Sequence, residues 1–297
     1  MSSIVQQIKT RFEIARNLWR CGVGVGSIAL YPILRRLKGR NELSFRNGFQ
    51  LKSPREEPLL SLFHEVWVDR HYTVPGYVIS SGDTVIDIGA NVGTFTLWTA
   101  NAAPGVRIIA VEPFAPTIEF LRKNLAESKV KNVTVIEACC GGNSGEAQLR
   151  VRGPAASHTI YRKDVYGSEL PVTAQCRMIT LDQLFSDQGV QRCDLLKLDC
   201  EGAEYEILFS ASQDTLDRVQ RIVMEYHTGM NEHTPEALAA ELSRRGFEVQ
   251  LLPLVDEEAG YLTATKCRST GKSDVRSAPT QESVGGVMEG IHPPGLC

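Results

Sequence analysis

The feature that most restricts the fold of this chain is the run Asp83-Thr84-Val85-Ile86-Asp87-Ile88-Gly89-Ala90-Asn91-Val92-Gly93-Thr94-Phe95. A β-branched segment stops at a carboxylate and breaks into two glycines four positions apart. Val85, Ile86 and Ile88 fit a parallel strand covered on both faces, and Phe95, Leu97, Trp98 and Ala100 fit a helix packing back on it. Gly89 can take backbone angles that a side chain forbids, and Gly93 lets the first helical turn lie close to strand or ligand. Strand, tight turn and helix start together predict an α/β fold with a cofactor at the turn.

The ligand is narrowed by what is missing. A dinucleotide turn has a middle glycine so that the backbone can approach a pyrophosphate, and that position is Asn91 here. The amino acid end of S-adenosylmethionine tolerates this side chain, and Asp87 is placed to receive its ammonium directly or through water. A second strand, Val106 to Val111, ends at Glu112, whose carboxylate is expected to accept both ribose hydroxyls. Thr94 and Pro113 follow Gly93 and Glu112 directly and join the predicted cofactor set. The acid alone would serve NAD(P) equally well, so an oxidoreductase or a non-catalytic cofactor-binding module is the alternative on the same fold.

At 297 residues, with 42% hydrophobic and 23% charged residues, the chain suits one large α/β domain with extensions or two small domains. A net charge of −3 argues against a nucleic-acid partner. Eight cysteines without a C-x-x-C pair fit reduced thiols and a cytoplasmic location. Residues 1–40 stand apart, with eight basic residues against Glu13, a balance of +7. Ile4, Val5, Ile8, Phe12, Ala15 and Trp19 share one helical face there, and the apolar run from Cys21 to Leu34 is too short to span a bilayer. Two readings stay open for this extension: peripheral membrane or partner docking, and a helical cover over the catalytic domain.

Asn47-Gly48 between Leu43-Ser44-Phe45 and Phe49-Gln50-Leu51 predicts a hairpin with a tight two-residue turn. A helix follows from Leu59 to Tyr72, with His64, Asp69 and His71 nearer an opening. Val133 to Ile136 is a third buried strand, and the small residues Ala138-Cys139-Cys140 after it leave room for a flat adenine beside Cys139. Residues 144–179 read as an antiparallel excursion whose polar loop carries Ser157 and His158, and Asp182 is expected to cap the helix that follows. A fourth strand runs from Asp194 to Asp199 into Cys200-Glu201-Gly202-Ala203-Glu204, and a fifth ends Glu225-Tyr226-His227. In open α/β sheets this edge is where ligands bind. Thr234 and Pro235 start a last helix, Phe247–Leu252 and Tyr261–Thr265 form an antiparallel pair, and residues 268–297 lack any apolar period and are expected to be disordered. The expected domains are 1–40 as a basic extension, 41–267 as the catalytic domain and 268–297 as a tail.

Val85-Ile86-Asp87-Ile88-Gly89-Ala90-Asn91-Val92-Gly93, Ala110-Val111-Glu112-Pro113, Leu196-Lys197-Leu198-Asp199-Cys200-Glu201-Gly202-Ala203-Glu204 and Glu225-Tyr226-His227 resemble the FkbM-type S-adenosylmethionine-dependent methyltransferases. Cys200 stands where that family typically has valine. The resemblance implies a Rossmann-like sheet of seven strands, mostly parallel with the last strand antiparallel, helices on both faces, and methyl transfer to a hydroxyl of a sugar, glycolipid or secondary metabolite.

Such a hydroxyl is too weak an acid to ionise unaided, so the site needs a general base or a metal ion. Asp199 or His227 is placed to act as base, or Asp199, Glu225 and His227 together to hold Mg²⁺. Glu201 and Glu204 suit a helix start, where the dipole favours negative charge. His71, Tyr72, Ser157, His158 and Glu201 complete the expected acceptor contacts.

Overall fold

The computed structural model describes residues 2–38, 41–152, 157–162, 168–253 and 259–267. The expected tail therefore lies outside the described residues, as do the side chains of Ile4, Val5, Ile8 and Ser157.

Two helices open the chain, α1 (Ser2–Arg20) and α2 (Val25–Lys38), followed by an antiparallel hairpin of β1 (Asn41–Ser44) and β2 (Gln50–Ser53). The hairpin loop is longer than its Asn-Gly pair predicts. Phe45 N–H donates to Phe49 O and Gly48 N–H to Phe45 O, which leaves a three-residue loop, Arg46 to Gly48, with only Gly48 in the left-handed region. That is the geometry of a type I turn closed by a bulge, where a two-residue loop needs two left-handed positions. The expected helix to Tyr72 is also shorter: α3 (Leu59–Phe63) passes into a single π-helical turn, His64–Val68, and the chain leaves the helix with Arg70 at φ +55°.

The central sheet begins with β3 (Thr84–Ile88), α4 (Thr94–Ala102), β4 (Arg107–Glu112), α5 (Ala115–Glu127) and β5 (Val133–Glu137). An excursion of β6 (Cys139–Cys140), β7 (Gly145–Arg152), β8 (Ser157–Thr159) and β9 (Val172–Ile179) then forms a separate four-stranded sheet. The chain returns through α6 (Leu181–Asp187), β10 (Leu195–Leu198), α7 (Glu204–Ser210), α8 (Gln213–Arg218), β11 (Arg221–His227), α9 (Pro235–Arg244), β12 (Phe247–Pro253) and β13 (Ala259–Lys266). Thr180, rather than Asp182, caps α6 by accepting from Gln183 N–H; Asp182 instead accepts from Ser212 N–H at the start of α8.

The seven strands lie in the order β12-β13-β11-β10-β3-β4-β5. All neighbours from β11 to β5 are parallel, and β13, the last strand among the described residues, runs antiparallel between β12 and β11. This is the sheet that the resemblance implies. Alternate side chains feed two cores. Ile86, Ile109, Leu196 and Met224 pack against Leu184, Ile207, Leu238 and Leu242 on one face. Val85, Ile108, Leu195 and Val223 pack on the other face with Phe95, Leu121, Phe63 and Trp67. Burial on both faces explains why these strands read as continuous apolar runs. The carboxyl ends of β3, β4, β10 and β11 meet at one edge, and the site lies there. Among the described residues no helix is long and apolar enough to cross a membrane.

Candidate active site

The turn after β3 is held by its neighbours. Gly89 and Ala90 N–H both donate to Val111 O at 3.0 Å, and Asp199 N–H donates to Ile88 O at 3.1 Å, so three strand ends converge. Gly89 sits at φ +78°, and a Cβ there would lie 1.8 Å from Asp199 O. No side chain fits that contact. Gly93 lets α4 approach α5, since its Cβ would lie 2.5 Å from Leu121 Cδ1.

A cleft of about 260 Å³ opens over this turn, with Gly89, Asn91, Glu112, Pro113, Ala138 and Cys139 on one side and Asp199, Glu201, Glu225 and His227 on the other. Glu112 is buried at 5% exposure. Its Oε2 accepts from Asn91 N–H at 2.9 Å and its Oε1 from Phe114 N–H at 3.0 Å. Burial pushes its pKa up to about 7, against the pull of these two amides. Each oxygen has one bond and one remaining lone pair, an arrangement suited to a vicinal diol. The small side chains of Ala138, Cys139 and Cys140 form an apolar wall beside it.

Asp87 is not at the cleft. It is fully buried on the far side of the turn, where Oδ2 accepts from Thr96 Oγ1 at 2.6 Å and Oδ1 lies 3.2 Å from Lys197 Nζ. The parallel register sets Asp87 beside Lys197, so direct receipt of a ligand ammonium is replaced by an internal ion pair. Thr94 and Gly93 also stay outside the cleft; Thr94 is buried in the first turn of α4, where its carbonyl accepts from Trp67 Nε1.

Lys197 is the central group that sequence reasoning passed over. Its Nζ donates to Gly89 O at 2.9 Å, lies 3.6 Å from Asp199 Oδ2 and stands 5.0 Å over the Tyr72 ring. Burial alone would lower its pKa, but Asp87 and Asp199 hold it above the ordinary lysine value. A lysine inside an otherwise apolar strand was the available signal, because such a charge is tolerated only when paired.

Tyr72 is surrounded by acids. Its Oη lies 2.7 Å from Glu65 Oε1, 3.0 Å from Asp199 Oδ2 and 3.0 Å from Glu225 Oε2. One hydroxyl proton cannot serve three acceptors, so carboxyl protons must complete the set. Burial, then the charge of Asp199, raises the pKa of both Glu65 and Glu225, the latter to about 8. Near neutrality Glu225 thus holds a proton for much of the time, and Asp199 Oδ2 is the oxygen that lies beside the cationic Lys197. None of these contacts uses Asp199 Oδ1.

His227 lines the cleft but is not the free base that its sequence position promised. Its Nδ1 lies 3.2 Å from Glu204 Oε1 and its Nε2 3.7 Å from Glu201 Oε2. Burial alone would lower its pKa, yet Glu204 foremost, then Glu201 and Glu225, raise it to about 10. A ring already protonated at neutral pH has no lone pair to offer an acceptor hydroxyl. Glu204 does not serve as a solvated helix start either: it is fully buried and accepts from Cys200 and Gly202 N–H. One ligand atom each from Asp199, Glu225 and His227 lies within 4.8 Å of the others, a set that could hold a divalent cation only if the His227 ring gives up its proton.

Of the expected acceptor contacts, His158 and Glu201 line the same cleft. His158 stacks on Phe114 at 3.9 Å between ring centroids. His71 lines a second cleft of about 510 Å³, with Ile14, Leu60, Asp69 and Tyr261, and its Nδ1 lies 2.8 Å from Tyr261 Oη. Glu65 and Glu225 line both clefts. Glu65 was not anticipated, because a π turn shifts the helical register that the apolar spacing implies.

A family model described as the methyltransferase FkbM domain matches residues 87–249, more than half of the chain. The chain belongs to the FkbM methyltransferase family. Among its relatives, it is 27% identical over 225 residues to the AMB antimetabolite synthetase AmbE of Pseudomonas aeruginosa, covering 64% of this chain but 11% of that protein. It is 26% identical over 192 residues to the 31-O-demethyl-FK506 methyltransferase FkbM of Streptomyces tacrolimicus, covering 56% of this chain and 74% of the relative. Among solved structures, the methyltransferase FkbM from Methylobacillus flagellatus KT aligns with 89% of this chain and 60% of its own at 14% identity, with a TM-score of 0.46.

Proposed function

We propose that this FkbM-family methyltransferase uses S-adenosylmethionine to methylate a hydroxyl of a small molecule or glycan, such as a sugar, a glycolipid or a secondary metabolite. The observation that carries the reading is that Glu112, with each oxygen bonded to one backbone amide, lines the same cleft as Asp199. Glu112 would hold the ribose diol, Asn91 and Pro113 its surroundings, and Ala138 and Cys139 the adenine edge. When bound, the cofactor supplies an electrophilic sulfonium methyl. The remaining tasks fall to this chain: placing the acceptor oxygen and taking its proton. Asp199 is assigned as base, with Lys197 and Tyr72 both placed on Oδ2, so that Oδ1 is left for the acceptor. Glu201 and His158 would contact the acceptor's other polar groups. The Streptomyces relative is named for an O-demethyl substrate, which supports oxygen as the receiving atom.

The test is calorimetric titration with S-adenosylmethionine and with NADH, followed by turnover of Asp199→Asn. Binding of S-adenosylmethionine alone and a turnover loss of ~10²–10⁴-fold at intact affinity are expected. Preference for NADH, or unimpaired turnover of the variant, rejects the assignment. A second reading, favoured by the mutual approach of Asp199, Glu225 and His227, is that these residues hold Mg²⁺ which acidifies the acceptor hydroxyl. Turnover that chelation abolishes and Mg²⁺ restores selects it.

A further inference from the structure

Five of the eight large hydrophobic side chains exposed among the described residues lie between positions 12 and 33: Phe12, Trp19, Val25, Leu30 and Ile33. The other three, Val78, Val172 and Leu252, come from separate parts of the chain. Singly exposed apolar residues are ordinary, but a concentration on one pair of helices marks an interaction surface. The helix α1 packs inward through Leu18, at 3% exposure, while Phe12 at 69% and Trp19 at 48% lie outside. Of the apolar face that the sequence periodicity picked out, the described side chains are Phe12 and Trp19, both exposed, and Ala15, half-buried.

The charges beside this face have one sign. At helical spacing Lys9, Arg16 and Arg20 border it on one side and Arg11 on the other. On α2, Leu30 and Ile33 are followed by Arg35 and Arg36, which with Pro32 and Arg55 line a surface depression of about 370 Å³. From Lys9 to Arg36 the single acid is Glu13. A protein partner recognised by its acidic side chains would explain the arginines but not five outward apolar groups, whereas a bilayer surface offers both complements: phosphate-bearing headgroups and the acyl boundary beneath them. At 14 residues α2 is too short to cross the hydrocarbon and is suited to lie along it.

We propose that α1 and α2 dock this protein on an anionic lipid bilayer. Phe12, Trp19, Leu30 and Ile33 enter the boundary of headgroups and acyl chains, and Arg35, Arg36 and Arg55 sit over lipid phosphates. On the inward side of α1, Ile14 lines the second cleft, so the docked helix is also a wall of that cleft.

The experiment is flotation of the full chain with vesicles of phosphatidylcholine alone or mixed with phosphatidylglycerol, at low and high salt. Flotation is expected with the mixed vesicles only and should weaken as salt screens the charges. Reversing the three arginines (Arg35→Glu, Arg36→Glu, Arg55→Glu) or removing the apolar contacts (Leu30→Ser, Ile33→Ser) should each reduce bound protein about tenfold or more, with melting temperature and S-adenosylmethionine affinity unchanged. If the apolar variant misfolds, the arginine variant decides, since all three arginines are surface groups. No flotation of the wild type, equal flotation with both vesicle types, or variants that float like the wild type overturns the proposal. So does a concentration-dependent dimer that only the apolar variant abolishes, which would give the face to a second copy of the chain. Loss of S-adenosylmethionine binding in the wild type would count against the proposed reaction and leave this inference standing.

Discussion

Lys197 Nζ lies 3.2 Å from Asp87 Oδ1 across two adjacent parallel strands, with both side chains buried beneath the cofactor turn. The same ammonium holds Gly89 O, so one cation fixes the strand pair and the turn together. Removing one member of a buried pair strands the other charge. Lys197→Met should therefore cost ~3–5 kcal/mol, measured by urea denaturation, and the double variant with Asp87→Leu should recover much of it. Additive losses in the double variant would show that the pair is not the source.

Glu112→Ala should weaken S-adenosylmethionine binding by ~1.5–3 kcal/mol with the fold intact. The pH dependence has a definite sign. The carboxyl has a pKa of about 7, and only the ionised form accepts from both ribose hydroxyls. Affinity measured by calorimetry should be level above that value and fall below it, and Glu112→Gln should abolish the slope. An affinity that rises as pH falls would remove Glu112 from the ribose site.

Three groups at the site bind protons more tightly in the folded chain than in the unfolded one. The folded pKa values of about 7 for Glu112, about 8 for Glu225 and about 10 for His227 all lie above the ordinary values of 4.5, 4.5 and 6.5. Each stabilising contribution is fully present below the unfolded value and is lost as pH rises through the folded one. The melting temperature of the cofactor-free protein should thus decline from mildly acidic to alkaline pH, with the last part of the decline, toward about 10, belonging to His227. Thermal scans of His227→Gln should lack that last part; an unchanged profile would mean that Glu204 does not hold the ring cationic.

Gly89→Ala should not give a folded protein that binds the cofactor. Its Cβ would lie 1.8 Å from the Asp199 carbonyl oxygen, at a φ of +78° that side chains rarely adopt. Backbone on both sides of the contact leaves nothing to rotate away. Circular dichroism and cofactor titration check this, and wild-type behaviour in both would mean that the two strand ends can separate.

Much of the sheet was legible in the sequence because β3, β4, β10 and β11 are largely buried on both faces and carry or lead into carboxylates, as at Asp87, Glu112, Asp199 and Glu225. The same continuous burial hid which way a side chain points. Nothing in Thr84–Ile88 shows that Asp87 faces a lysine 110 positions along the chain and not the ligand; the register with β10 decides it. His227 reads as a histidine of ordinary basicity until Glu204, from the start of α7, is placed against it. Glu65 and the short helix around it were illegible for a local reason, since a π turn carries no distinctive spacing. For α1 the periodicity puts Phe12 and Trp19 on one face, but amphipathicity alone cannot tell side chains that pack inward from ones left outward.

Glu65 and Glu225 form a partition with one cleft on either side. An acceptor that reaches the Asp199 side of the first cleft past these two acids, while the cofactor enters that cleft from its own mouth, would use a separate door, and neither would have to leave before the other moves. The kinetic signature of such a wall is random addition of the two substrates: initial-rate lines that intersect, and product inhibition patterns in which neither S-adenosylmethionine nor the acceptor must bind first.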